Sequence, residues 1–242
     1  MSAGADAVLT CQNTVSRSAR GVIVAQLVLP TGVARLVNRA VLTATLAFGA
    51  AGLALLFAVA LVERDPSFAA TSLIYGTSLA ACALCSFLYN MLEAAPRRDL
   101  LRRLDHAAIF LLIAGTYTPF AGGIRGLFGI SLLAWVWGIA LVGVLLKLFV
   151  GKAFERGFVA LYLALGWLAV TAGRDVASLP VVPLVLLGIG GIAYTVGALI
   201  YARDIGRWTD PVWHSCVLAG NVMHFLAVIA LGLLPVLSAS AS

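Results

Sequence analysis

The chain has 242 residues and a net charge of +6, with 62% hydrophobic but only 11% charged residues. Soluble domains carry about 25% charged residues, so this composition excludes a soluble fold. The apolar residues form long continuous runs, such as Val41–Val62, rather than the alternating pattern of a membrane barrel strand. Because only helices and closed barrels satisfy the backbone within lipid, the runs predict transmembrane helices.

In chain order, the runs predict an all-α membrane protein, a bundle of seven transmembrane helices. Residues 1–40 contain no long apolar run and are interpreted as a cytoplasmic N-terminal arm, residues 41–236 as the transmembrane domain and residues 237–242 as a short outer tail. Each run is close to the roughly 20 residues that a helix needs to cross a bilayer. The predicted spans are 41–62, 68–92, 106–122, 127–150, 157–173, 181–202 and 212–236.

The basic residues fall mainly on one side of these spans. Three of the 16 lie on the other side, namely Arg64, Arg125 and Arg174. The larger group consists of Arg17, Arg20, Arg35, Arg39, Arg97, Arg98, Arg102, Arg103, Lys147, Lys152, Arg156, Arg203 and Arg207. Loops rich in arginine and lysine stay in the cytoplasm, so we expect the N-terminus inside and the C-terminus outside. This placement argues against nucleic acid as a partner. Membrane lipids are the expected partners, and the oligomeric state is left open.

Five polar side chains are predicted to lie at one level of the bundle, near the cytoplasmic side. Ser86 and Asn90 are four residues apart on the second span, Asp105 begins the third, and Asp210 and His214 are four residues apart at the start of the seventh. A spacing of four keeps each pair on one helical face. Polar groups are costly in lipid and therefore suggest function, although helix capping alone would also favour the two aspartates.

A second histidine on the seventh span is expected to lie outside this cluster. His224 follows His214 by ten residues, which places it about 15 Å deeper in the membrane along a helix. We therefore interpret His224 as a packed or hydrogen-bonded histidine.

The segment Arg103–Phe120 closely resembles the signature of bacterial hemolysin III proteins. These belong with the progestin and adipoQ (adiponectin) receptors and are similar to a wider superfamily that includes alkaline ceramidases. Three further segments, Ser86–Tyr89, Leu161–Trp167 and Trp213–Phe225, extend the resemblance over roughly residues 35–236. It implies a seven-helix fold with a cytoplasmic N-terminus, in the bacterial inner membrane.

The resemblance also implies a zinc ion near the cytoplasmic face, held by three histidines and completed by a serine and an aspartate. Ser86 matches the serine, Asp105 the aspartate and His214 the last histidine. Asn90 and Asp210 stand where the family motif has histidine. A carboxylate can bind zinc, whereas a neutral amide is a poor ligand. Asn90, Asp210 and His214 are therefore the candidate metal ligands of an altered site that binds zinc weakly or not at all.

The resemblance leaves three functions open. The first is membrane or lipid homeostasis, with a degenerate or altered metal site. The second is a metal-dependent lipid amide hydrolase similar to ceramidases, in which Ser86 and Asp105 would be the catalytic residues. The third is a pore-forming hemolysin, a channel or a receptor-like protein, although no span shows the ring of charges that a permeation path favours. Whether the protein is an enzyme is not decided by the sequence.

Overall fold

The computed structural model describes residues 31–62, 65–92, 96–124, 127–150, 155–173 and 179–240. Most of the predicted N-terminal arm, residues 1–30, and the last two residues of the predicted outer tail therefore lie outside the described residues. Residues 31–40, which the sequence analysis placed in the arm, are helical and continue directly into the first predicted span.

The described part of the chain is all-helical, which confirms the predicted fold class. Six of its helices are long and apolar enough to cross a membrane, and the segment Gly157–Val170 is a shorter apolar helix. Short 3-10 turns follow the fifth helix and precede the seventh. The helices are α1 (Thr31–Val62), α2 (Pro66–Met91), α3 (Arg98–Gly123), α4 (Leu127–Val150), α5 (Glu155–Gly166), α6 (Val181–Arg203) and α7 (Thr209–Ser240).

The helix α3 lies in the interior of the bundle. It is the most buried of the six long helices, and it contacts α2, α4, α5 and α7. The helix α1 packs against both α2 and α7, and α6 packs against α7 and α5. Contact between α1 and α7 therefore brings the first described helix next to the last, and a residue on α3 can reach side chains from several neighbours.

Aspartate side chains stabilise the starts of α2 and α7, the two helices that carry most of the candidate site residues. The Asp65 carboxylate accepts hydrogen bonds from the backbone N–H of Ser67 and Phe68, at 2.8 and 3.3 Å, and so caps α2. Before α7, Asp204 has a left-handed backbone with φ of 49°. Its Oδ1 accepts from the Gly206 N–H at 3.1 Å and from the Thr209 hydroxyl at 2.9 Å. These bonds fix the short connection that leads into α7.

The core between α3, α4 and α5 is aromatic. The fully buried ring of Phe110 lies 4.6 Å from the Tyr162 ring and 6.2 Å from the Phe158 ring, measured between centroids. A Cβ on Gly143 would lie 2.5 Å from the Phe110 ring, so this glycine allows the close approach of α4.

Lys147, one turn later, is only 1% exposed. Its Nζ lies 4.3 Å above the Phe158 ring, which is a cation–π contact. A residue that the sequence placed in a basic flank is thus buried.

The helices α6 and α7 interlock through two aromatic rings, each of which lies over a glycine of the other helix. A Cβ on Gly220 of α7 would lie 2.6 Å from the Tyr194 ring of α6, and one on Gly190 of α6 would overlap the His224 ring of α7. The two rings meet edge to face with centroids 5.1 Å apart. The two glycines therefore set the distance between the helices.

Hydrogen bonds hold both rings in place. The Tyr194 hydroxyl donates to Oδ1 of Asn221 at 2.6 Å. The Nε2 of His224 donates to the backbone carbonyl of Leu187 at 3.2 Å. The prediction that His224 is a packed and hydrogen-bonded histidine is confirmed.

Candidate functional site

The structure brings Ser86 and Asp105 together. Asp105 lies on α3 about two turns after its start, and it is only 9% exposed. The Ser86 side chain on α2 lies within interaction range of the Asp105 carboxyl group. Cys82 and Cys85, on the same helix, lie within electrostatic range of this carboxyl group. The two residues that the resemblance assigns to catalysis are therefore neighbours in a buried place between α2 and α3.

The Asn90 side chain turns back onto its own helix. Its Nδ2 donates to the backbone carbonyl of Ser86 at 2.9 Å, one turn earlier on α2. The amide oxygen is then the one atom of Asn90 with which it could bind a metal.

His214 is buried and bonded to a residue that the sequence analysis did not identify. Its Nδ1 lies 2.7 Å from Oδ1 of Asn38 on α1, and the backbone carbonyl of Asp210 also interacts with its ring. An amide oxygen can only accept a hydrogen bond. The proton of this pair is therefore on Nδ1, and Nε2 keeps its lone pair.

Asn38 could have been found from the sequence by one signal. It lies between Arg35 and Arg39 in the ten residues before the first predicted span, a polar segment that directly adjoins a long apolar run. Such a segment can continue the helix beyond the hydrocarbon and place polar side chains at the level of other helix ends. The structure shows this continuation, since α1 begins at Thr31.

Asp210 is exposed in the first turn of α7. It lines an open cleft of about 370 Å³, together with Asp204, Thr209 and Tyr201. The contacts of the described residues thus pair Ser86 with Asp105 and His214 with a residue of α1, and they leave Asp210 at a surface cleft. That all five side chains share a single cavity stays a prediction.

The donor groups at these positions do not fit a zinc ion held by three imidazoles. They provide one imidazole nitrogen, one exposed carboxylate and one neutral amide oxygen, and zinc sites are built from Cys, His and carboxylate ligands. In the part of the chain that the structure describes, no three His, Cys, Asp or Glu side chains are grouped so that they could hold a metal ion.

Comparison with known proteins identifies the family. Residues 40–225 match the family described as Haemolysin-III related. The chain is similar to the hemolysin-3 homolog of Bacillus subtilis (strain 168), with 39% identity over 158 residues, which are 64% of this chain and 74% of that protein. It is also similar to hemolysin-3 of Bacillus cereus, with 36% identity over 158 residues, 64% of this chain and 72% of that protein. The chain is a multi-pass membrane protein that belongs to the Haemolysin-III related family.

Proposed function

We propose that this protein acts in membrane lipid homeostasis, without metal-dependent hydrolysis, in the bacterial inner membrane. The observation that carries the proposal is the set of groups at the three ligand positions. Asn90 is a neutral amide that donates to its own helix, and Asp210 is an exposed carboxylate. His214, which bonds to Asn38 of α1, is the one imidazole at positions where the family motif has three.

A closed bundle is favoured over a pore. The Bacillus cereus relative is called hemolysin-3, which makes pore formation the second candidate. The largest fully buried side chains of the described residues are mostly apolar or aromatic, and Tyr75, Phe110, Leu79, Val136 and Val228 are among them. A packed apolar interior gives ions no polar lining to replace their hydration. This argues against conduction through a single copy.

Two measurements test the proposal. Purified protein mixed with a lipid that carries a fluorescent N-acyl chain should release no more fatty acid than the isosteric variant Asp105→Asn, with or without added Zn²⁺. In a strain that lacks the gene, wild-type protein and Asp105→Asn should both restore the membrane lipid composition measured by mass spectrometry. Zinc-dependent release that is lost in Asp105→Asn would instead identify a hydrolase. Failure of a stably expressed Asp105→Asn to restore the lipids would also contradict the proposal.

The orientation of the bundle is part of the proposal. The excess of arginine and lysine on one side supports a cytoplasmic N-terminus and an outer C-terminus. A reporter enzyme that works only outside the cytoplasm should be active when it is fused after Ser242 and inactive when it is fused at Ala95. A reporter that works only inside the cytoplasm should show the reverse. The opposite result at both positions would rule out this orientation.

A further inference from the structure

A groove of about 650 Å³ lies between α1 and α2, on a different part of the molecule from the polar side chains described above. Its lining is apolar except for Thr77. On α1 it runs from Leu46 to Phe57, and on α2 from Leu84 back to Leu73. Ala50 and Phe57 are exposed, so the groove opens outward from the bundle, toward the surrounding lipid.

The length of the groove matches one leaflet of a bilayer. Eleven residues separate its ends on each helix, which correspond to about 16 Å along the helix axis at roughly 1.5 Å per residue. Half of a hydrocarbon core of about 30 Å is about 15 Å. A single acyl chain that fills the groove would therefore extend about 16 Å, from the level of Leu46 to that of Phe57.

The polar end of the groove continues as a stripe of changing polarity on α1. Arg35, Arg39 and Thr43 precede Leu46 and Ala50 at spacings of four, four, three and four, which keep all five on one helical face. The first three of these side chains are exposed. This order matches that of a phospholipid. The two arginines would lie at the level of the phosphate, the Thr43 hydroxyl at the ester region and the apolar groove along the acyl chain.

We infer that this groove binds one anionic phospholipid, with the phosphate at Arg35 and Arg39 and one acyl chain between Leu46 and Phe57. Guanidinium groups pair well with phosphate because they donate several hydrogen bonds in a fixed plane. Clusters of arginine and lysine next to a membrane helix attract anionic lipids. The site shares no residue with the polar cluster, so its test is independent of the hydrolysis assay.

Native mass spectrometry of the full chain in detergent tests the inference. The protein is titrated with phosphatidylglycerol and, separately, with phosphatidylcholine that has the same acyl chains. Wild-type protein should bind one phosphatidylglycerol in preference to phosphatidylcholine. Ala50→Phe, which fills the groove from an exposed position, should weaken the binding of both lipids about tenfold. Arg35→Gln should weaken phosphatidylglycerol about fivefold and leave phosphatidylcholine unchanged.

Matched controls lie on α6. Ile192→Phe adds an aromatic ring at another exposed apolar position, and Arg203→Gln removes another exposed charge; both should bind lipid as the wild type does. Undiminished binding in Ala50→Phe would overturn the inference. Equal affinity for the two lipids, with no effect of Arg35→Gln, would overturn the anionic headgroup assignment. A dimer that Ala50→Phe converts to a monomer would show that a second copy of the chain fills the groove.

Discussion

Replacing Asn90 and Asp210 together by histidine is expected to raise the zinc content of the purified protein toward one ion per chain. Wild-type protein should retain much less zinc after the same mild chelation, measured by elemental analysis. The reason is the chemistry of the ligands, because imidazole nitrogen suits zinc and a neutral amide oxygen competes poorly with water. Asn90 also donates to the carbonyl of Ser86, which leaves only its neutral amide oxygen as a metal ligand.

The control for this experiment is the remaining histidine. Adding His214→Ala to the double variant should return the zinc content to the wild-type value, because it removes one of the three imidazoles. Persistence of zinc in this triple variant would place the metal elsewhere. No gain in the double variant would mean that positions 90, 210 and 214 do not come together. Stoichiometric zinc in the chelated wild type would refute the altered site and support a hydrolase.

Gly190→Ala is expected to lower the free energy of unfolding by about 1–3 kcal/mol, the usual cost of overpacking a core. A Cβ at this position would overlap the His224 ring, which cannot move away without breaking its hydrogen bond to Leu187. Gly188→Ala is the matched variant on the same helix, since nothing lies within 4 Å of its added Cβ. It should raise stability by up to about 1 kcal/mol, because alanine favours the helix over glycine. Thermal unfolding in detergent measures both.

A double variant separates the ring contact from other effects. His224→Ala removes the ring, so adding Gly190→Ala to it should cost far less than Gly190→Ala costs in the wild type. If Gly190→Ala were as stable as Gly188→Ala, the close contact between α6 and α7 at this position would be wrong.

The helices could be predicted from the sequence because long apolar runs have few alternatives in a membrane. The start of α1 could not be predicted from hydropathy. Arg35, Asn38 and Arg39 interrupt the apolar pattern, yet they lie in the same helix, with both arginines exposed and the asparagine bonded to α7. Lys147 shows the same weakness in reverse. Its position near the end of an apolar run placed it among the basic residues of the cytoplasmic flank, whereas its side chain is buried against an aromatic ring of α5.

The part of the site that could be predicted consists of residues that lie in recognisable sequence motifs. Ser86 and Asp105 were expected at the same level of the bundle, and they lie within interaction range of each other. The polar segment before the first span could have indicated that Asn38 lies at the level of other helix ends. Its bond to His214 was not predictable, since the two residues are remote in sequence. The bond of Asn90 to its own helix depends on the orientation of one side chain, which residue spacing does not determine.

The hydrogen bond between Asn38 and His214 also has a consequence for the biogenesis of the protein. The two residues are 176 positions apart, which a ribosome covers in about 10–35 s at roughly 5–20 residues per second. During this interval α1 is already made, but its asparagine has no histidine to bond. Because the contact between α1 and α7 needs the last helix, it forms only at the end of synthesis. In a chain that stops before α7, the face of α1 that normally packs against α7 would stay uncovered, and quality-control proteases could recognise it.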